Sequence, residues 1–121
     1  MALYELMKPD FEFEDERGAL VQLVHEGYRQ INVVSSKQGV VRGGHFHRHN
    51  REAFYVVSGS FELRLRLGEQ RESRVFRAGE MFALPPGVIH EFAYLEDTLL
   101  IGLYDRGVEE ADGKDIIAES L

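Results

Sequence analysis

Between Ser60 and Leu67 the chain alternates without a break, with Phe61, Leu63, Leu65 and Leu67 on one parity and Glu62, Arg64 and Arg66 on the other. Successive side chains of an extended strand point to opposite faces, so this period of two describes a strand with one apolar and one wet face. Gly and Pro punctuate the rest of the sequence at short intervals, and the segments between them are rich in Val, Leu, Phe and Tyr. Further strands are expected over 19–24, 30–36, 40–47, 52–58, 73–77, 80–85, 90–95 and 98–105. That rhythm predicts an all-β antiparallel sandwich or barrel. The best place for a helix is 112–121, although Gly113 and the short length work against it. The acidic stretches 12–16 and 109–112 read as solvated loops or strand edges.

At 121 residues the chain suits a single domain, residues 1–121, and should bury roughly two-thirds of its unfolded surface. It has no cysteine, which removes disulfides, thiolate nucleophiles and cysteine metal clusters, so any metal must be held by His and carboxylate groups. Its net charge of −7 offers no basic footprint for nucleic acid. The N-terminus has neither a basic n-region nor an apolar h-region, and no apolar run approaches the roughly 20 residues that span a bilayer. A cytoplasmic protein without a membrane partner is the expectation.

Chemistry concentrates in two segments. In an extended strand His45 and His47 share a face while Phe46 takes the other. The turn 48–51 can reverse the chain and bring Glu52 back beside them, and Gly59 permits a tight turn into the next strand. In the second segment Gly79, Pro85, Pro86 and Gly87 precede His90, so a strand and a rigid turn deliver a third histidine. Three imidazoles and one carboxylate suit Zn, Fe, Mn, Ni or Co and leave coordination positions for water or substrate. His49 is expected in the turn, and His25 in an exposed loop.

The spacing resembles that of the cupins. Gly39, His45, His47, Glu52 and Gly59 meet the whole of the first cupin motif, and Gly79, Pro85, Gly87 and His90 meet the second, whose final Asn is Tyr94 here. The resemblance implies a single-domain antiparallel double-stranded jelly-roll β-barrel with His45, His47, Glu52 and His90 as ligands of one divalent metal ion, zinc favoured, with iron, manganese or nickel as alternatives. Tyr94 falls on the strand face that carries His90 and Phe92.

Three further stretches narrow the likeness. DERGALVQLV (15–24) matches the opening of cupins that act on nucleotide-linked deoxysugars, and Arg42-Gly43 precedes the first histidine as in deoxysugar epimerases and ketoisomerases. Residues 42–59 look like the cupin domain of capsular-polysaccharide nucleotide-sugar epimerases, whose reductase domain has no counterpart in this chain. The resemblance implies an isomerase, an epimerase or ketoisomerase of a nucleotide-linked keto-deoxysugar. In that reading Arg17 and Arg42 hold phosphate or sugar oxygens. Proton transfer falls to Tyr94 or Tyr104, or to His47 or His45 where no metal binds. Strand parity turns Arg42 away from His45 unless Gly43 and Gly44 form a bulge, and Arg17 has a competing partner in Asp15. Tyr55, of opposite parity to Glu52, should face away from the ligands. An Fe(II)-dependent dioxygenase or related oxidoreductase is the alternative from the same ligand set, and a non-catalytic sensor barrel a further one. Jelly-roll sheets leave an edge that pairing can cover, so a homodimer is expected, with 4–14 or the C-terminal residues as arms.

Overall fold

The structure, a computed structural model, describes residues 2–108 and 114–121. Twelve strands run in chain order: β1 (Glu5–Met7), β2 (Phe11–Asp15), β3 (Gly18–Gln22), β4 (Gln30–Ser36), β5 (Val41–His47), β6 (Glu52–Ser58), β7 (Ser60–Leu67), β8 (Gln70–Arg77), β9 (Met81–Leu84), β10 (Ile89–Tyr94), β11 (Thr98–Tyr104) and β12 (Ile116–Ala118). All pairings are antiparallel. One sheet has the order β1-β9-β6-β11-β4, the other β12-β5-β10-β7-β8, and β2 and β3 form a separate hairpin.

The alternation read in the sequence decides how the two large sheets meet. Phe54, Val56, Phe82 and Leu100 of the first face Phe61, Leu63, Leu65, Phe76 and Phe92 of the second in one buried cluster. Rings cross the interface directly, with centroids 4.1 Å apart for Phe76 and Phe82 and 5.2 Å for Phe54 and Phe92. Phe61, Phe76 and Phe82 are fully buried, and each such side chain contributes about 1.5–3 kcal/mol through loss of apolar surface to water. On the opposite parity of the first sheet, Ala53, Met81, Ala83 and Leu103 form a smaller cluster covered by Met7, Leu23, Val24 and Tyr28. Tyr55 joins that outer cluster and so faces away from Glu52, as its parity requires.

The structure corrects or narrows several sequence expectations. The C-terminal segment is not helical among its described residues, because 116–118 takes its backbone partners from β5 as an added edge strand. Residues 11–15 form an exposed edge strand paired with β3, the second of the two states expected over 12–16; the stretch 109–112 lies outside the described residues. The proposed dimer arms are also engaged within the chain, since β1 pairs with β9 and β12 with β5. No helix among the described residues is long and apolar enough to cross a membrane.

Candidate functional site

β5 and β10 lie side by side in the second sheet, with His45 opposite His90. The next pair is Gly43 with Glu91, so Gly44 is an extra residue without an opposite number, and Arg42 falls opposite Phe92. This is a bulge, and both of its glycines have positive φ, 107° at Gly43 and 77° at Gly44. Its effect is to return Arg42 to the face that carries His45. β6 brings Glu52 from the other sheet, opposite Tyr104 of β11. The turn that carries His90 is tied to the same place, because the Gly87 N–H donates to the His47 carbonyl at 2.9 Å.

The result is a polar cluster inside an apolar shell. His45, His47 and His90 present ring nitrogens that all lie within 4.8 Å of one another. Glu52 Oε1 lies 2.8 Å from His47 Nε2 and 3.4 Å from His90 Nε2. His47, Glu52 and His90 are each only 3 % exposed. The far side of each buried ring is anchored: His47 Nδ1 meets Asp115 Oδ2 at 2.6 Å, and His90 Nδ1 meets the Val88 carbonyl at 3.1 Å. Both rings therefore keep Nε2 for the cluster. His47 Nε2 and Glu52 Oε1, although close, are not aligned as a hydrogen bond, and neither makes one elsewhere. A divalent ion would fit this set of imidazole and carboxylate donors.

The charges follow from the same geometry. Burial, reinforced by the His90 and His47 rings, pulls the His45 pKa down to about 4, against the opposing pull of Glu52. Burial likewise lowers His90. For His47, burial pulls down but the Glu52 and Asp115 carboxylates outweigh it and hold the ring above its ordinary value. Burial pushes Glu52 up, and its contacts with His47, His90 and Tyr104 more than reverse this. Tyr94 and Tyr104 are both raised, chiefly by burial, with the Glu52 charge adding to the effect at Tyr104, so both phenols keep their protons at neutral pH.

A cavity of about 100 Å³ opens beside the cluster, lined by Arg42, Gly43, His45, Glu52, His90, Tyr94 and Tyr104, with Val34, Phe54, Phe92 and Leu100 as its apolar wall. Arg42 also lines a larger outer groove of about 470 Å³ with Ser35, Lys37 and Asp97. Of the residues singled out from sequence, the structure thus brings together His45, Glu52, His90, Arg42, Tyr94 and Tyr104 around one space. His47 belongs to the cluster but does not line the cavity. Arg17 does not reach it within one chain: its exposed guanidinium pairs with Asp15 at 2.6 Å, beside the β2–β3 turn. His49 sits in the turn after β5 and His25 in an exposed loop against Asp10. Sequence reasoning missed Asp115 and Asn50, both buried beside His47, because neither belongs to a spaced motif. It also missed Ser36, which accepts from Arg42 Nε at 2.7 Å.

Comparison with known proteins bears on this arrangement. The family described as polysaccharide biosynthesis C-terminal domain matches residues 13–104. No curated protein matches the chain by sequence. Among solved structures, a double mutant of the QdtA 3,4-ketoisomerase from Thermoanaerobacterium thermosaccharolyticum, in complex with TDP, superposes with a TM-score of 0.80 at 20 % identity, covering 97 % of this chain and 88 % of that one. The dTDP-4-dehydrorhamnose 3,5-epimerase from Elizabethkingia anophelis gives 0.70 at 20 % identity, covering 89 % and 72 %. The capsular polysaccharide assembling protein CapF from Staphylococcus aureus gives 0.66 at 25 % identity, covering 92 % of this chain and 34 % of CapF. The chain therefore has the fold shared by cupin ketoisomerases and epimerases of nucleotide sugars, and it corresponds to about a third of CapF.

Proposed function

Because the chain belongs to the polysaccharide biosynthesis C-terminal domain family, we propose that it is an isomerase acting beside the ketone of a nucleotide-linked keto-deoxysugar, as an epimerase or ketoisomerase. The observation that carries this reading is the buried His/Glu cluster opening onto a cavity with two protonated tyrosines and an arginine. Nucleotide sugars enter through the comparisons, since the ketoisomerase relative is a complex with TDP.

Moving a proton next to a carbonyl needs a base, an electrophile for the enolate oxygen and an acid. His45, His47, His90 and Glu52 would hold one divalent ion, zinc favoured, and it would supply positive charge to the enolate oxygen. Tyr104, opposite Glu52 in the sheet and lining the cavity, is the group placed to relay the α-proton. Tyr94, whose phenol keeps its proton, returns a proton from the other side of the cavity. Arg42, between the cavity and the outer groove, binds substrate oxygens through its guanidinium. Without an ion, His45 is the better base than His47, because its ring is neutral and lines the cavity. In this reading the two sheets are the walls of a jelly-roll barrel. Its closure is supported by Arg42 of β5, which donates to Ser36 Oγ and, at 3.2 Å, to the Ser35 carbonyl of β4.

The test is to purify the protein without added metal or chelator and incubate it in D₂O with a TDP-linked 4-keto-6-deoxysugar. Near-stoichiometric zinc and deuterium incorporation beside the ketone are expected, both lost in a His47→Ala, Glu52→Ala double variant. No exchange with such sugars defeats the isomerase reading, and metal-free active protein defeats the ligand assignment. Iron with oxygen uptake supports the oxygenase alternative instead.

The molecule pairs with a second copy through the β2–β3 hairpin and the β4 edge. A two-stranded hairpin is marginal alone, yet this one leaves Phe11, Phe13 and Leu20 about half exposed, and β4 exposes Ile31 and Val33 along a sheet edge. Mass in solution should be twice that of the chain, and a strictly monomeric mass removes the pairing.

A further inference from the structure

The family match ends at residue 104, yet a buried carboxylate from beyond it, Asp115, touches His47. We infer that Asp115 is a positioning residue that keeps the His47 proton on Nδ1 and so presents Nε2 to the cluster; the consequence for metal binding rests on the function proposed above.

The hydrogen-bond inventory leaves little freedom. Asp115 Oδ1 accepts from the backbone N–H groups of His49 at 2.7 Å and Asn50 at 3.2 Å. Asp115 Oδ2 accepts from Asn50 Nδ2 at 2.8 Å and faces His47 Nδ1 at 2.6 Å. Both carboxylate oxygens are thus acceptors already, Oδ1 of two backbone N–H groups and Oδ2 of the Asn50 amide, and Oδ2 faces the ring in the same role. His47 Nδ1 must therefore be the donor. The Asn50 amide cannot turn over to change this, because its Oδ1 accepts from the N–H groups of Arg106 and Gly107 and its Nδ2 also donates to the Gly107 carbonyl. The backbone of the tail is fixed at the same point, where the Asp115 carbonyl accepts from Arg48 N–H at 2.7 Å.

This arrangement makes Asp115→Asn a specific probe. Two backbone N–H groups hold the amide oxygen at the Oδ1 position, since the reverse orientation would oppose two donors there; the amide NH₂ then points at His47 and loses the bond from the Asn50 amide. The ring must then accept at Nδ1 and carry its proton on Nε2, where it blocks a metal. An orienting acid replaced by its amide reverses an imidazole tautomer by the same logic in hydrolytic triads.

The experiment reads the tautomer directly in the full-length chain stripped of metal, by two-bond proton–nitrogen correlation of the imidazole rings at alkaline pH, and reads affinity by Co²⁺ titration. We expect Nδ1–H at His47 in the unmodified protein, Nε2–H in Asp115→Asn, and Co²⁺ affinity lower by about 10- to 100-fold in the variant. Nε2–H in the unmodified protein overturns the inference whether or not the variant folds. A folded variant that keeps both the original tautomer and the original affinity overturns it too. If the unmodified protein takes up no Co²⁺, the metal reading fails, and the tautomer comparison still decides the role of Asp115.

Discussion

Gly43→Ala should abolish metal binding and destabilise the protein by about 2–3 kcal/mol or more, combining left-handed backbone strain with overpacking. A Cβ at this position would lie 2.6 Å from the His90 carbonyl oxygen and 3.0 Å from Glu91 Cα, both backbone atoms of the neighbouring strand, at a φ of +107°. Neither neighbour can rotate away, so β5 and β10 must separate or the bulge must collapse into regular pairing. Collapse shifts the register by one residue and sends either Arg42 or His45 to the outer face. Gly44→Ala is the internal control: its φ is +77° but a Cβ there meets nothing within 4 Å, so only the conformational cost of about 1–2 kcal/mol applies. Thermal melts and metal content of the two variants decide the matter. Equal effects would show that backbone conformation, and not the close approach to His90, explains the need for glycine at 43.

Glu52→Gln should remove the metal and, in chelator-treated protein, cost about 3 kcal/mol, the scale for breaking a buried charged contact. The pH dependence of that loss has a definite shape. Glu52 titrates below its unfolded value of 4.5, so its stabilising contribution is present above that pH and is lost as pH falls through the folded value. His47 titrates above its unfolded value of 6.5, so its contribution is complete below 6.5 and is lost as pH rises through the folded value. The penalty should thus be greatest between about pH 4.5 and 6.5, where both contributions are present. Denaturant melts of both proteins across pH 4–8 test this, and a penalty independent of pH would separate Glu52 from the ionisation of His47.

How much of this was legible beforehand depended on whether a residue's role is local. The strands over 30–36 and 52–58 match the structure because alternation and flanking turns are properties of the segment itself. The meeting of His45, His47, Glu52 and His90 was legible because strand period, turn and register bring them together by spacing. β1 and β12 were not, since three residues carry too little pattern and owe their state to a partner strand distant in sequence. Asp115 is the clearest case: it meets His47 across 68 residues, and nothing near it in the chain marks it as different from any other surface acid. Arg17 differs in the opposite way: within one chain it pairs with nearby Asp15 and does not reach the cavity. Arg42 was readable only conditionally, on a glycine pair whose bulge the sequence allows without requiring.

The strand order also carries a consequence in time. β7 and β8 are joined by a short turn and can zip together early, whereas the site needs β5 against β10, β6 against β11 and the tail back against β5. Such non-local closures are slow, because loop entropy is lost before the contacts form. The histidines, glutamate and Asp115 should therefore meet late in folding. A nascent chain would spend much of its folding time with His45, His47, Glu52 and His90 scattered, and these side chains would meet only as the last strands dock.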